Sequence, residues 1–236
     1  MRLLSSIADL LASLPRAAGR GRGPQPPPGP PSNPSLTLVL ADISERDVDA
    51  VVNAADWTML GGTGVDGAIH AKAGRELGRH IVERGLRLDT AQVHATPGFG
   101  LKARHILHTC APTYEGTLAD REAGREALEL CYRACVERAD AMGLDSLSFP
   151  LLGSGAFHWP LPQAAELCAR ALRAAAPRCR SLKLVEVCAF DEAAAAALES
   201  ALGLVRSESA DPALLAYHAG ASALEGMTAD EISRRF

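Results

Sequence analysis

The run Val51-Val52-Asn53-Ala54-Ala55-Asp56-Trp57-Thr58-Met59-Leu60-Gly61-Gly62-Thr63-Gly64-Val65-Asp66-Gly67-Ala68-Ile69-His70 decides how this chain is read. It opens as a strand, because Val48, Ala50, Val51 and Val52 are apolar and largely β-branched, as a buried sheet strand should be. It closes as a helix: Ala68, Ile69, Ala71, Ala73 and Leu77 follow a glycine cluster and no proline interrupts them. That helix is predicted to run to about Arg84, with Gly85 ending it. Between strand and helix stand Gly61, Gly62 and Gly64, which permit φ > 0 and a close ligand approach. A turn of this kind aims unpaired N–H groups and the positive end of a helix dipole at one point, which suits a phosphate. Glycines alone fit a merely geometric turn equally well. The polar residues Asn53, Asp56 and Asp66 tip the balance, since polar groups in an apolar run need partners or line a site.

The arrangement recurs downstream. Residues 146–152 form a short apolar strand that leads into Gly153-Ser154-Gly155-Ala156-Phe157-His158-Trp159-Pro160, followed by a helix over 161–176. Two glycine-bearing loops at the C-terminal ends of neighbouring strands form the usual crevice for a nucleotide-like ligand in an α/β sheet. The loops are not P-loops, because no Lys-Ser/Thr follows the glycines, and their spacing is not that of a dinucleotide fingerprint.

The remaining elements fit the same architecture. Residues 36–40 are a strand, and Asp42 after it reads on its own as the N-cap of a short turn. Residues 92–99 make a weak strand and 104–112 a stronger one containing His108, which reads as a satisfied core histidine. A helix over 120–142 ends at Gly143, a strand covers 182–190, and an alanine-rich helix covers 191–202. Strands alternating with helices predict a three-layer α/β/α domain.

Composition narrows the function. The chain has 236 residues, 47% of them hydrophobic, and a net charge of −4, enough for one sizeable core plus tails. That charge gives no electrostatic footprint for nucleic acid, and 4% aromatic content provides no base-stacking platform. A phosphate ligand would therefore be held mainly by backbone N–H groups. The six cysteines form no C-x-x-C pair and no zinc spacing; Cys131 and Cys135 share a helix face and read as core residues. No disulfide framework is apparent, so a reducing, cytoplasmic setting is expected.

The domain is placed at residues 36–206. Residues 1–35 combine a short amphipathic pattern (Leu3, Leu4, Ile7, Leu10, Leu11, Leu14) with a proline-rich spacer from Pro24 to Pro34. Arginines and serines there also fit an organellar transit peptide, whereas Ser5, Ser6 and Asp9 break the apolar run a secretory signal needs. Residues 207–236 read as a partly helical tail. No stretch approaches the ~18 apolar residues of a membrane span.

The first loop resembles the macrodomain signature N-A-A-N, a glycine cluster, then V-D-G-A-I-H, and most closely the MacroD-type branch of O-acetyl-ADP-ribose deacetylases and mono-ADP-ribosyl hydrolases. The second loop resembles the family's S/G-T/S-G-x-Y/F-G, Ala41-Asp42-Ile43-Ser44 its G-D-I-T, and the strand around His108 its I-H-T-V-G-P. The departures are Asp56 for the last Asn, Thr63 within the glycine cluster, and His158 at the final glycine. The resemblance, over roughly residues 36–202, implies a central mixed sheet of about six strands and ADP-ribose, or a conjugate of it, as ligand. It implies that Asp42, Ile43 and Phe190 hold the adenine. Backbone groups of Gly62, Thr63, Gly64 and Val65 would face those of Ser154, Gly155, Ala156 and Phe157 across the diphosphate, with Gly153 and Trp159 of the second loop also among the ligand-binding residues. Asn53, Asp56, Asp66 and Phe157 would surround the distal ribose. The family assigns His108 no catalytic role.

Two functions follow from the resemblance. One is a metal- and cofactor-independent hydrolase that removes mono-ADP-ribose from acidic side chains or deacetylates O-acetyl-ADP-ribose, with Asp66, Asp56 and Asn53 as catalytic residues. The intact V-D-G-A-I-H run favours it. The other is a reader that binds ADP-ribose with little or no turnover, favoured by Asp56, Thr63 and His158. An ionised Asp at position 56 offers only acceptors where Asn offers both. A monomer is expected, with no nucleic-acid or membrane partner.

Overall fold

The computed structural model describes residues 31–207. Six strands form one sheet: β1 (Ser35–Leu40), β2 (Ala50–Ala54), β3 (Val93–Pro97), β4 (His105–Thr109), β5 (Ser146–Pro150) and β6 (Leu184–Ala189). Their order is β1-β6-β5-β2-β4-β3, and β3 runs antiparallel to β4 while the other pairings are parallel. The apolar run that opens the signature is thus a central strand, flanked by β5 and β4. Its alternation is informative: Ala50 and Val52 enter one apolar cluster and Val51 the other, so both faces of the sheet are covered.

Among the described residues five α-helices provide the cover: α1 (Gly64–Ala73), α2 (Arg75–Glu83), α3 (Leu118–Ala141), α4 (Leu161–Ala175) and α5 (Glu192–Leu202). Leu128 and Cys135 of α3, Leu167 and Leu172 of α4, and Leu198 of α5 pack on the first face. Ile69 of α1 and Leu77 and Ile81 of α2 pack on the second. The three-layer α/β/α architecture and mixed six-stranded sheet expected from the sequence are both present.

One element differs. The single helix expected up to about Arg84 is two, α1 and α2, joined at Gly74. Gly74 has φ 82, which no helix accommodates, and its N–H closes α1 on the His70 carbonyl. At the ends of the domain, the Ser32 N–H donates to the Cys179 carbonyl and the Ser207 N–H to that of Leu38. The expected N-terminal amphipathic segment, most of the proline-rich spacer, and the tail after Ser207 lie outside the described residues.

Candidate functional site

The C-terminal ends of β1, β2, β5 and β6 open on a cleft of about 370 Å³, a size typical of small-ligand pockets. Its lining brings together Asp42 and Ile43 after β1, and Thr63, Gly64, Val65 and Asp66 at the start of α1. It also includes Gly153, Ser154, Gly155, Ala156 and Phe157 of the second loop, and Phe190 after β6. Of the residues singled out in the sequence, Gly62, Asn53, Asp56 and Trp159 stand outside this lining.

The first loop ends in a helix start with unspent donors. Thr63 is the N-cap of α1 but its side chain makes no capping bond, so the first-turn N–H groups lack an intrahelical acceptor. At the positive end of the helix dipole they make a corner of the kind that suits an anion, beside Asp66, the one acidic residue of that turn. Gly67 allows the corner to close, because a Cβ there would sit 2.6 Å from the Gly62 carbonyl oxygen.

The second loop is braced from below. The Ser154 hydroxyl donates to the Leu151 carbonyl, the Trp159 N–H to Gly153, and the Tyr114 N–H to Phe157. Trp159 does not face the cleft as expected. It is 2% exposed, donates Nε1–H to the Pro112 carbonyl at 2.8 Å, and packs against Tyr114. Its ring lies under Gly153, which has φ 83 and whose Cβ would lie 2.7 Å from the indole. Its contribution is to shape the loop. A Cβ at Gly155, by contrast, would meet no protein atom within 4 Å.

At the far end of the cleft Asp42 does what its sequence position suggests, accepting from the Ser44 N–H at 2.8 Å to cap the short turn Ile43–Glu45. Arg46 holds that turn to the sheet through two hydrogen bonds to Glu186, which also accepts from the Ser148 hydroxyl. Phe190 is 44% exposed and forms part of the cleft wall.

Asp66 occupies the other end and is 6% exposed. The Asn53 amide donates to its Oδ1 at 2.7 Å, and His70 Nε2 lies 3.5 Å away, one helical turn on. Burial raises the Asp66 pKa, the Asn53 hydrogen bond and the His70 charge oppose that rise, and the Asp56 charge adds to it. Asn53 Oδ1 and His70 Nε2 are buried without hydrogen-bond partners among the described residues. His70 and Gly67 are site residues that the sequence signals only weakly, through the i,i+4 spacing from Asp66 to His70 within V-D-G-A-I-H.

Asp56 departs from its expected place. It is exposed, and its Oδ1 accepts from the Thr58 N–H, the Thr58 hydroxyl and the Met59 N–H. It therefore organises its own turn, as Asp commonly does, and reaches Asp66 through its charge.

His108 is fully buried, hydrogen-bonded at both ring nitrogens, and pushed down to about 3 by burial first and neighbouring histidines second. Cys131 and Cys135 are fully buried in the core, and burial pushes the Cys131 thiol up to about 12. Among the described residues no three His, Cys, Asp or Glu side chains are grouped to hold a metal, and no helix is long and apolar enough to cross a membrane.

Comparison with known proteins agrees with this geometry. The sequence profile of the Macro domain family matches residues 52–168. A macro domain-containing protein of Xanthomonas axonopodis pv. citri is 39% identical over 166 residues, which cover 68% of this chain and 91% of that protein. The chain belongs to the macrodomain family. A second macro domain-containing relative, from Streptomyces coelicolor, is 35% identical over 175 residues, 71% of this chain and 98% of its own length. Among solved structures, an Oceanobacillus iheyensis macrodomain mutant with ADPR superposes with a TM-score of 0.68 at 33% identity, covering 72% of this chain and 93% of that chain. A Trypanosoma brucei macrodomain in complex with ADP-ribose gives 0.65 at 30% identity, over 74% of each chain.

Proposed function

We propose that this macrodomain binds ADP-ribose in the cleft and hydrolyses an ester at its distal ribose, either a mono-ADP-ribosyl ester on an acidic side chain or O-acetyl-ADP-ribose. The observation that carries the reading is Asp66: a buried carboxylate held by the Asn53 amide, with His70 Nε2 3.5 Å away, at the end of a cleft walled by two amide-rich loops. The solved macrodomains with ADPR and ADP-ribose support the choice of ligand.

In this reading the adenine lies by Asp42, Ile43 and Phe190, and the diphosphate between the α1 corner and the second loop. The distal ribose then meets Asp66. Burial makes Asp66 a stronger base than an exposed carboxylate. It takes a proton from a water that the substrate's own phosphate helps to hold. The resulting hydroxide adds to the ester, the ester C–O bond breaks with its electron pair going to the leaving oxygen, Asp66 returns its proton to that oxygen, and the acid and ADP-ribose leave. A base in this position contributes ~10²–10⁴-fold.

One observation favours the alternative reader function. Asp56 spends one oxygen on its own turn and adds negative charge near Asp66. The experiment that separates the two is calorimetric titration with ADP-ribose, followed by release of ADP-ribose from a Glu/Asp-ADP-ribosylated protein. Binding with release supports the hydrolase; binding without release supports the reader.

A further inference from the structure

The Asp66–Asn53 contact has a continuation that runs through the sheet and not through the cleft. Asn53 on β2 and His108 on β4 are direct partners in the parallel register, with Asn53 Nδ2 3.1 Å from His108 Nδ1. His108 Nε2 in turn lies 2.9 Å from the Thr96 hydroxyl on β3. All three side chains are buried, at 0%, 0% and 1% exposure.

The donors and acceptors can be assigned from chemistry. A carboxylate accepts only, so the Asn53 atom facing Asp66 Oδ1 at 2.7 Å is the amide nitrogen, and a flipped amide would set two acceptors against each other. That same nitrogen faces His108, so Nδ1 of the ring accepts. The neutral ring then carries its proton on Nε2, which donates to Thr96 Oγ1. Both Asn53 amide hydrogens are thereby committed, one to Asp66 and one to His108.

We propose that His108 is a positioning residue: by accepting one Asn53 amide hydrogen it fixes the rotamer whose other hydrogen orients the Asp66 carboxylate. The proposal rests on the reading of Asp66 as the reacting carboxylate, and it goes beyond a satisfied core histidine because it assigns the ring a task at the site. Charged and titratable groups around the chain of bonds are few. Asp66 faces His70 on its own helix and Asp56 from the loop after β2. His108 faces His70 from α1, His94 from β3 and His80 from α2. Burial holds the His108 ring neutral near neutral pH, as an acceptor at Nδ1 requires.

The consequence is electrostatic. The Asn53 hydrogen bond is the strongest influence opposing the burial that raises the Asp66 pKa. Without an acceptor at position 108 the second amide hydrogen is stranded in an apolar core, the amide rotates to relieve it, and Asp66 loses its donor.

The test compares His108→Leu, which removes the acceptor, with His108→Asn, whose side-chain oxygen reaches the place of Nδ1. Both full-length variants and the parent are followed by kcat and KM for ADP-ribose release against pH, by carboxyl-carbon NMR titration of Asp66, and by thermal midpoint. His108→Leu is expected to lose kcat about tenfold with KM little changed, and to move both the acid limb of kcat and the Asp66 titration up by about one pH unit. His108→Asn is expected to restore both towards the parent, and the parent ring is expected to show a neutral Nε2–H nitrogen spectrum between about pH 5 and 8. A folded His108→Leu variant with the parent's Asp66 titration overturns the proposal. So does His108→Asn shifted as far as His108→Leu, or an Nδ1–H ring in the parent. Should the parent show no turnover, the hydrolase reading fails while the Asp66 titration still decides the role of His108. If His108→Leu does not fold, Thr96→Val, which removes the Nε2 partner, is read by the same titration: a smaller upward shift supports the proposal and no shift overturns it.

Discussion

Replacing Gly67 by alanine sets two effects against each other, and the structure decides the sign. Alanine in place of glycine inside a helix contributes about 1 kcal/mol of stability through backbone entropy. At Gly67, however, the new Cβ would lie 2.6 Å from the Gly62 carbonyl oxygen, a backbone atom that cannot swing aside. Reaching ordinary van der Waals contact requires the first loop and α1 to separate by roughly 0.8 Å. Overpacking of this kind costs about 1–3 kcal/mol, so the net expectation is a loss of about 0–2 kcal/mol. Gly78 is the control, since it is also the fourth residue of its helix and a Cβ there meets nothing within 4 Å. Gly78→Ala is expected to stabilise by about 0.5–1 kcal/mol. The difference between the two variants cancels propensity and isolates the clash. Urea denaturation measures it through the midpoint at unchanged slope. Because Gly62 belongs to the ligand loop, Gly67→Ala is also expected to weaken ADP-ribose binding in calorimetry, and Gly78→Ala is not. Equal stabilisation by both variants, with parent-like affinity in both, would refute the argument that Gly67 is required by close approach.

Three further outcomes are expected. Gly155→Glu directs a carboxylate into the cleft, where a charge pair at about 4 Å costs about 4 kcal/mol; ADP-ribose affinity should fall on the order of 10³-fold with the thermal midpoint retained, and near-parent calorimetric affinity would remove the second loop from the site. Asp56→Asn keeps an acceptor for its turn but removes a charge that raises the Asp66 pKa, so the acid limb of the release rate should move to lower pH and the rate on that limb should rise; an upward move of that limb contradicts the electrostatic account. Asp66→Asn tests the cost of the buried carboxylate. The folded pKa of Asp66 lies above its unfolded value, so native binding of the proton makes parent stability fall as pH rises through that interval. The variant lacks this fall, so its stability relative to the parent should increase from about pH 4 to pH 7, and a pH-independent difference would contradict the raised pKa.

Much of this was legible in the chain because it depends on local pattern. Runs such as Val51-Val52 and Leu36 to Leu40 declare strands through β-branched and aliphatic side chains, and the glycine loops declare themselves through spacing. The Gly74 break was not legible, because Ala-Lys-Ala-Gly-Arg-Glu continues a helical pattern and only the positive φ in the fold shows that the helix stops. Trp159 adjoins the second loop in sequence, but adjacency does not give direction, and its ring turns inward to Pro112. Asp56 follows Asn53 by three residues, yet the strand ends at Ala54 and Asp56 lies out in solvent while Asn53 stays in the sheet. The Asn53–His108 pairing joins residues 55 apart and depends on strand register, which no local window contains.

The measurement that bears most directly on the central claim is release of ADP-ribose from a Glu/Asp-ADP-ribosylated protein, by the parent and by Asp66→Ala, with ADP-ribose affinity measured on both. The account predicts release by the parent and release at least about 100-fold slower by Asp66→Ala, which still titrates with ADP-ribose through the adenine and diphosphate contacts. Tight binding by a parent that releases nothing, or equal release by Asp66→Ala, would contradict it.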